Sequence, residues 1–330
     1  MKLSGILNIN KPAGVTSFDI VRTVKRLGKE KRVGHGGTLD PGATGVLLVL
    51  MGEATRIAEY LLDGAKTYRT VIEMGLTTDT YDSEGEILSK KDPSFLTITA
   101  IENALASYTG PVSQEPPMFS ALHHQGKRLY ELAREGIEVP RRARVRQVYE
   151  IRLVDWACPL LTVELKCEGG FYVRSLASDL GQRLGCGASI KELCRLKQGE
   201  FSLSESLTVE EVEDAFSNGW VSLAVHPVDT PLIQKKAAIL SDVDERHFLQ
   251  GRVIQLSGPG EPDQPDQAAR TQVEPEPTGE VCRVYSAAGY FIAVGKWDEK
   301  NGLLHPKKVF CPPGVSKPPS FLTQTGENTF

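Results

Sequence analysis

A chain of 330 residues and 36.1 kDa is long enough for two domains, and its 40% hydrophobic and 24% charged content is that of an ordinary globular protein. No segment approaches the ~18 continuous apolar residues of a membrane span, and MKLSGILNINKP lacks the apolar centre of a signal peptide, so a cytoplasmic protein is expected. The net charge of −4 hides an asymmetry: residues 1–200 hold 27 Lys+Arg against 24 Asp+Glu, whereas residues 201–330 hold 11 against 18.

The six cysteines (158, 167, 186, 194, 282 and 311) form no C-x-x-C, and the adjacent His123 and His124 have no neighbouring His or Cys to complete a ligand set. Neither a zinc cage nor a disulfide framework is implied, and metal-independent chemistry is expected.

GILNINKPAGVTSFDIVRTVKRLG predicts a short strand, a turn, and a helix capped by Thr16 or Ser17, with Ile20, Val21, Val24 and Leu27 on one face and Gly28 as its end. Its other face is basic: residues 22–32 carry six cations and one acid. Residues 139–149 carry four arginines and no acid. Such clusters are the footprint of a polyanion, although a solvated helix face accounts for the first nearly as well.

Next, VGHGGTLDPGATG at 33–45 places five glycines and a proline around Asp40. Pro41 pushes the residue before it out of the helical region, so the Asp40 carboxylate is aimed by extended backbone, and the glycines leave room for a close approach. An ordinary glycine-rich turn fits this segment equally well. A phosphate loop does not: Ala43 stands where the lysine is required, Pro41 removes a donor, and the apolar run follows the loop instead of preceding it.

The strand VLLVLM, a helix ATRIAEYLLDG, a strand KTYRTVIEM and the turn-rich acidic stretch TTDTYDSEGE come next. Thr99 and Glu102 read as a capping box opening a helix AIENALASY. Residues 110–144 mix prolines, aromatics and basic residues around the helical patch KRLYELAR, and long irregular insertions of this kind are usually functional or disordered. Strands VYEIRLVDW and LLTVELKCE precede a helix near GGFYVRSLASDLGQRLG, in which Val173, Leu176, Ala177, Leu180 and Leu184 form the buried stripe. Arg174 lies off that stripe in the first turn, where a cation opposes the helix dipole by up to ~1 kcal/mol and calls for an anion.

Thr208 and Glu211 cap one more helix, and the character changes after PVDTPL. A short helix DVDERHFLQG, an acidic Pro-rich insertion at 258–280, a hairpin VCRVYSAAGYFIAVGKW and an edge strand LLHPKKVF are expected, followed by a disordered tail, 312–330. The implied domains are 1–232 and 233–311.

Taken in order, GILNINKPAGVTS, VGHGGTLDPGATGVLLVLMGEATR, KTYRTVIEMGLTTDTYDSEG, PPMFSALHHQGKRLYELAREG and FYVRSLASDLGQRLGCGA resemble the bacterial tRNA pseudouridine synthases of the TruB type. The resemblance implies an α+β fold with a mixed, largely antiparallel central sheet flanked by helices and loops, plus a small β-rich C-terminal domain of the PUA kind. It implies a cofactor-free, metal-free and monomeric enzyme that flips uridine 55 out of the T-loop of tRNA and isomerises it to pseudouridine. Asp40 matches the catalytic aspartate, Arg174 the arginine paired with it, and Tyr68 the tyrosine that stacks on the base. His35, Lys11 and Tyr172 match residues around the substrate, and the 110–144 insertion matches the segment that clasps the RNA stem-loop.

RNA contacts are expected from Arg128, Arg141, Arg142 and Arg144, and from Lys307 and Lys308 in the C-terminal domain. Arg174 is expected to keep Asp40 ionised, since a nearby cation lowers a carboxylate pKa by ~1–3 units. Two residues depart from the family pattern GHTGTLDPLATG: Gly36 replaces threonine and Gly42 replaces leucine, and both changes are expected to loosen the loop. CEGGFYVR likewise stands for CSKGTYIR, losing a lysine and a serine. The alternative is a tRNA-binding folding chaperone without catalysis, against which the intact Asp40, Tyr68 and Arg174 set argues. A glycosidase would need a second carboxylate as general acid, and the sequence identifies none.

Overall fold

Alternation decides the central strand: Lys66, Tyr68, Thr70, Ile72 and Met74 are buried while Thr67, Arg69, Val71 and Glu73 are less so, the period-2 pattern of a strand packed on one face. The computed structural model describes residues 3–256 and 279–310. These fall into two compact units, with the division after Pro227. That is a few residues before the expected boundary, because Asp229 accepts a hydrogen bond from the Tyr285 hydroxyl and so belongs with the second unit.

The first unit begins with β1 (Gly5–Lys11), α1 (Ser17–Gly28), β2 (Val33–His35) and β3 (Thr44–Met51). Thr16 caps α1 in a reciprocal box with Asp19, which satisfies two otherwise unpaired backbone amides. α1 ends at Gly28, as expected, and Lys29 then turns the chain out in the left-handed region at φ 48°. The expected helix at 54–64 is a 3₁₀ turn, Gly52–Ile57, leading into only a short α2 (Ala58–Leu62).

Thereafter come β4 (Lys66–Met74), a small hairpin of β5 (Leu76–Thr78) and β6 (Ile87–Lys90), and α3 (Ile98–Ala106). The cap of α3 is Thr97, two residues before the expected Thr99. The 110–144 segment carries β7 (Gly110–Gln114), the hairpin β8 (His123–His124) and β9 (Lys127–Arg128), and α4 (Leu129–Arg134). Then follow β10 (Arg144–Ala157), β11 (Leu160–Cys167), α5 (Val173–Arg183), β12 (Ala188–Gln198), β13 (Phe201–Ser202), α6 (Val209–Ser217) and α7 (Val221–Ala224).

A nine-stranded sheet runs β1-β3-β12-β4-β11-β10-β7, with β2 added to β3 and β13 to β12. Only the β3–β12 contact in it is parallel. β12, which no motif had indicated, enters between β3 and β4, so strands distant in sequence meet at the centre. Gly45 permits that contact: a Cβ there would lie 2.3 Å from the Arg195 carbonyl oxygen. Leu47, Val49, Ile72, Leu161, Val163, Leu176 and Leu180 form part of the core between sheet and helices.

The second unit has β14 (Lys236–Ile239), α8 (Asp242–Leu249), β15 (Ile254–Gln255), β16 (Glu280–Tyr285), β17 (Phe291–Asp298) and β18 (Leu303–Val309). Its sheet order is β14-β16-β17-β18-β15. β18 is therefore not the edge strand expected from LLHPKKVF, since β15 pairs with Leu303 and Leu304 on its outer side. Phe248, Val284, Ile292 and Leu304 fill the core of this unit. The expected insertion at 258–280, apart from its last two residues, and the tail from 312 lie outside the described residues. No described helix is long and apolar enough to cross a membrane.

Candidate active site

Asp40 is aimed by bonds on both of its neighbours. The Ser17 hydroxyl donates to the Leu39 carbonyl at 3.0 Å and accepts from the Leu39 amide at 2.9 Å. On the other side the Pro41 carbonyl accepts from the Gly14 amide and from Lys11 Nζ, both at 3.0 Å. The turn between β1 and α1 thus holds the loop from below.

Lys11 is fully buried, and its ammonium spends its remaining donors on the carbonyls of Pro12 at 2.9 Å and Val15 at 2.8 Å. Its three donors are all taken by backbone, so it positions the loop instead of reaching outward. Burial pulls its pKa down to about 8, against the attraction of Asp40 and Glu84.

The anion that Arg174 required is Asp40, with a second one beside it. Arg174 Nε lies 2.9 Å from Asp40 Oδ2, and Nη2 donates to Oδ1 at 3.0 Å, a bidentate fork. Nη2 also donates to the Phe119 carbonyl at 2.7 Å, while Nη1 donates to the Thr80 carbonyl at 3.2 Å and lies 3.5 Å from Asp82 Oδ2. This buried guanidinium therefore joins the Asp40 loop, the acidic turn and the 110–144 segment at one point.

Asp82 is caged in turn. Its Oδ1 accepts from the Thr80 hydroxyl at 2.6 Å and the Glu84 amide at 3.1 Å, and its carbonyl accepts from the Thr78 hydroxyl at 2.7 Å. Tyr81, at φ 63°, turns the chain so that Asp82 meets β12 at Ile190.

Asp40, Asp82, Glu84, Gly42, Ala43 and Arg174 line one small cleft. Removal from water raises the Asp40 carboxyl above its ordinary value; Arg174 opposes the rise and Asp82 reinforces it. The expected depression by Arg174 is present but outweighed, because the same enclosure that makes the ion pair close also desolvates the acid. Glu84 is raised as well, by desolvation and then by Asp82 and Asp40.

Tyr68 is nearly buried on β4, cross-strand from Arg195, and desolvation keeps its phenol neutral by raising its pKa. His35 accepts from the Gly37 amide through Nδ1 at 3.3 Å; burial, with help from the charges of Arg195 and Arg128, lowers its pKa and favours neutral imidazole. Tyr172 exchanges two backbone hydrogen bonds with the Gln114 side chain, each 3.1 Å, which ties β7 to the start of α5. The Asp40 charge adds to the rise of both the Tyr68 and the Tyr172 phenol.

The expected RNA contacts separate into groups. Arg142 and Arg144 are exposed, and the charge of Arg144 reaches Tyr172. Arg128 is exposed and its charge reaches His35. Arg141 instead is mostly buried in ion pairs with Glu115 at 2.7 Å and Glu138 at 3.5 Å. Lys307 and Lys308 lie on β18 of the second unit.

Several supporting residues escaped sequence reasoning. Arg195, fully buried on β12, donates to the carbonyls of Val46 at 2.7 Å, Gly37 at 3.0 Å and Thr38 at 3.4 Å, holding the loop from the sheet side. Gln198 donates to the carbonyls of Gly36 and Leu61. Lys66 donates to the carbonyls of Leu61, Leu62 and Gly64, closing the C-terminal end of α2, and burial lowers its pKa to about 8. The Asp-x-Glu-Gly turn after Tyr81 was a usable signal for Asp82; nothing in KELCRLKQ distinguishes a buried Arg195 from an exposed one.

Gly36 and Gly42 differ from expectation. A Cβ on Gly36 would lie 2.8 Å from Leu61 Cδ1, so this glycine is a close-packing position and not a loosened one. A Cβ on Gly42 would meet Glu84 Oε1 at 3.1 Å, the end of a flexible side chain.

A mixed sheet of this order thus carries a bidentate Asp–Arg pair at a cleft. Solved structures support the fold: a Cbf5–Nop10–Gar1 complex matches with a TM-score of 0.69 at 22% identity, covering 93% of this chain and 85% of that one. An H/ACA RNP bound to a substrate RNA containing 2′-deoxyuridine matches with a TM-score of 0.68 at 22% identity over the same shares. Residues 25–173 match the family described as TruB family pseudouridylate synthase (N terminal domain), and residues 174–232 match the tRNA pseudouridylate synthase B C-terminal domain. Both matches end before the β-rich second unit is under way.

The tRNA pseudouridine synthase B of Dehalococcoides mccartyi strain BAV1 is 43% identical over 93% of this chain and 97% of its own length. That of Clostridium perfringens strain 13 is 37% identical over 91% and 97%. The chain belongs to the TruB family of pseudouridine synthases.

Proposed function

We propose that this enzyme isomerises uridine 55 in the T-loop of tRNA to pseudouridine, with the target nucleotide flipped out of the loop and Asp40 as the nucleophile. The carrying observation is the bidentate Asp40–Arg174 pair in the cleft. The names of the relatives, matched over nearly their whole length, support tRNA as substrate.

The reaction breaks the N1–C1′ bond, turns the uracil and forms C5–C1′, with loss of the C5 proton and gain of one at N1. No oxidant or external group is consumed. Asp40 supplies the electron pair, at C1′ of the ribose or at C6 of the base, and Arg174 keeps the carboxylate ionised and oriented against desolvation. Tyr68 provides a neutral ring for the flipped base, an interaction worth ~1–3 kcal/mol. Lys11, His35 and Tyr172 shape the surroundings of the nucleotide, and Arg128, Arg142 and Arg144 place the 110–144 segment over the stem-loop. The second unit acts as a PUA-like RNA-binding accessory through Lys307 and Lys308, in a cytoplasmic monomer.

Asp40→Asn is expected to abolish tritium release from C5-labelled uridine in tRNA while tRNA binding survives. Full turnover by that variant refutes the reading. Tight binding by the parent protein without any pseudouridine formed would instead support a tRNA chaperone.

A further inference from the structure

The exposed face of α1 carries a ring followed by three cations. Phe18, Arg22, Lys25 and Lys29 are all exposed, and at ~100° per residue these positions fall within about 60° of one another on the helix surface. Phe18 leaves 63% of its surface in solvent, with the Arg22 guanidinium 5.4 Å above its ring centroid. The core-facing side of the helix, by contrast, buries Ile20, Val21 and Val24.

Neighbouring charges are already used: Asp19 closes the capping box and meets Arg22 at 3.2 Å, and Arg26 pairs with Glu213 of α6 at 3.3 Å. Lys25 and Lys29 form no ion pair among the described residues. The helix that carries the stripe is tied to the Asp40 loop. Ser17, which precedes Phe18, exchanges hydrogen bonds with Leu39, the residue before Asp40.

Lys29 adds an independent sign. It ends the helix at φ 48°, a left-handed conformation that glycine adopts without strain and lysine does not. A strained lysine at a position suited to glycine is consistent with a retained charge, and such strain concentrates at functional sites.

We infer that the Phe18–Arg22–Lys25–Lys29 stripe of α1 is a second RNA-contact surface, separate from the 110–144 segment. Phe18 stacks on an unpaired base or ribose, and the three cations follow the adjoining phosphates. The inference rests on the proposed tRNA substrate. A polyanion fits the row of cations, and an exposed ring beside an arginine fits a base.

The test measures tRNA binding across a salt series in an Asp40→Asn background, and turnover at saturating tRNA in the active parent. Phe18→Ala is expected to weaken binding by at least about five-fold. Arg22→Ala, Lys25→Ala and Lys29→Gly combined are expected to flatten the slope of log K against log salt by about two to three, with kcat held within about two-fold. Lys29→Gly alone should weaken binding while leaving the thermal unfolding midpoint unchanged or raised, a pairing that a structural role does not produce. Unchanged affinity and salt slope in the triple variant would overturn the inference. A parent that neither binds nor modifies tRNA would overturn the functional reading itself, and this inference with it.

Discussion

Arg174→Met removes the one group that joins Asp40, Asp82 and two backbone carbonyls. The guanidinium is 6% exposed, and its loss leaves the carbonyls of Thr80 and Phe119 and two carboxylates without their shared donor. Breaking a buried pair costs about 3–5 kcal/mol. Asp40 is 37% exposed, so water takes over part of its solvation and the expected loss of stability is nearer ~2–4 kcal/mol.

The effect on ionisation has a definite sign. Desolvation already raises the Asp40 carboxyl, and Arg174 is the largest influence lowering it. Without that cation, 2.9 Å from the carboxylate, the carboxyl rises further. A nucleophile that must be ionised then loses activity as pH falls, and the acid limb of kcat/KM moves toward neutrality. Tritium release from C5-labelled tRNA between about pH 5 and 9 reads the limb, and thermal unfolding reads the stability. Arg174→Lys separates charge from geometry: it should leave the limb close to the parent's while kcat falls, because one ammonium cannot form the fork. An acid limb in Arg174→Met identical to the parent's would refute the electrostatic role assigned to Arg174.

Two further outcomes follow from the same geometry. Gly36→Thr, which installs the family's usual residue, should destabilise by ~1–3 kcal/mol through collision with Leu61, with Leu61→Ala added to it recovering part of the loss in thermal melts. Gly42→Leu should only turn Glu84 aside and change stability by less than ~0.5 kcal/mol. Burial lowers Lys11 and Lys66 from 10.5 to about 8, so between those values the unfolded chain holds more protons and stability attributable to the pair rises with pH. Denaturant unfolding from pH 7.5 to 10.5 should show that rise, and Lys66→Met should make it shallower; an unaltered slope would contradict the buried charge.

What the sequence alone determined is what short-range physics encodes. The helix start at Thr16 or Ser17, the cap pair Thr208 and Glu211, the alternation in KTYRTVIEM, the apolar run after the glycine loop and the aimed carboxylate of Asp40 all depend on residues a few positions apart. Even Arg174's demand for an anion was legible, because the helix dipole is local. Where the local reading went astray, a nearby competitor won: Thr97 took the cap from Thr99. Only the tertiary structure decided which anions answer Arg174, why Gly36 has no side chain, and what holds the loop in place. Those answers come from β12 entering the sheet between β3 and β4, and from Arg195 and Gln198 reaching carbonyls some 160 positions earlier in the chain. A charged strand such as KELCRLKQ carries no local mark of burial; its cations become interior only when sheet order surrounds them with carbonyls, and sheet order is set by the whole core.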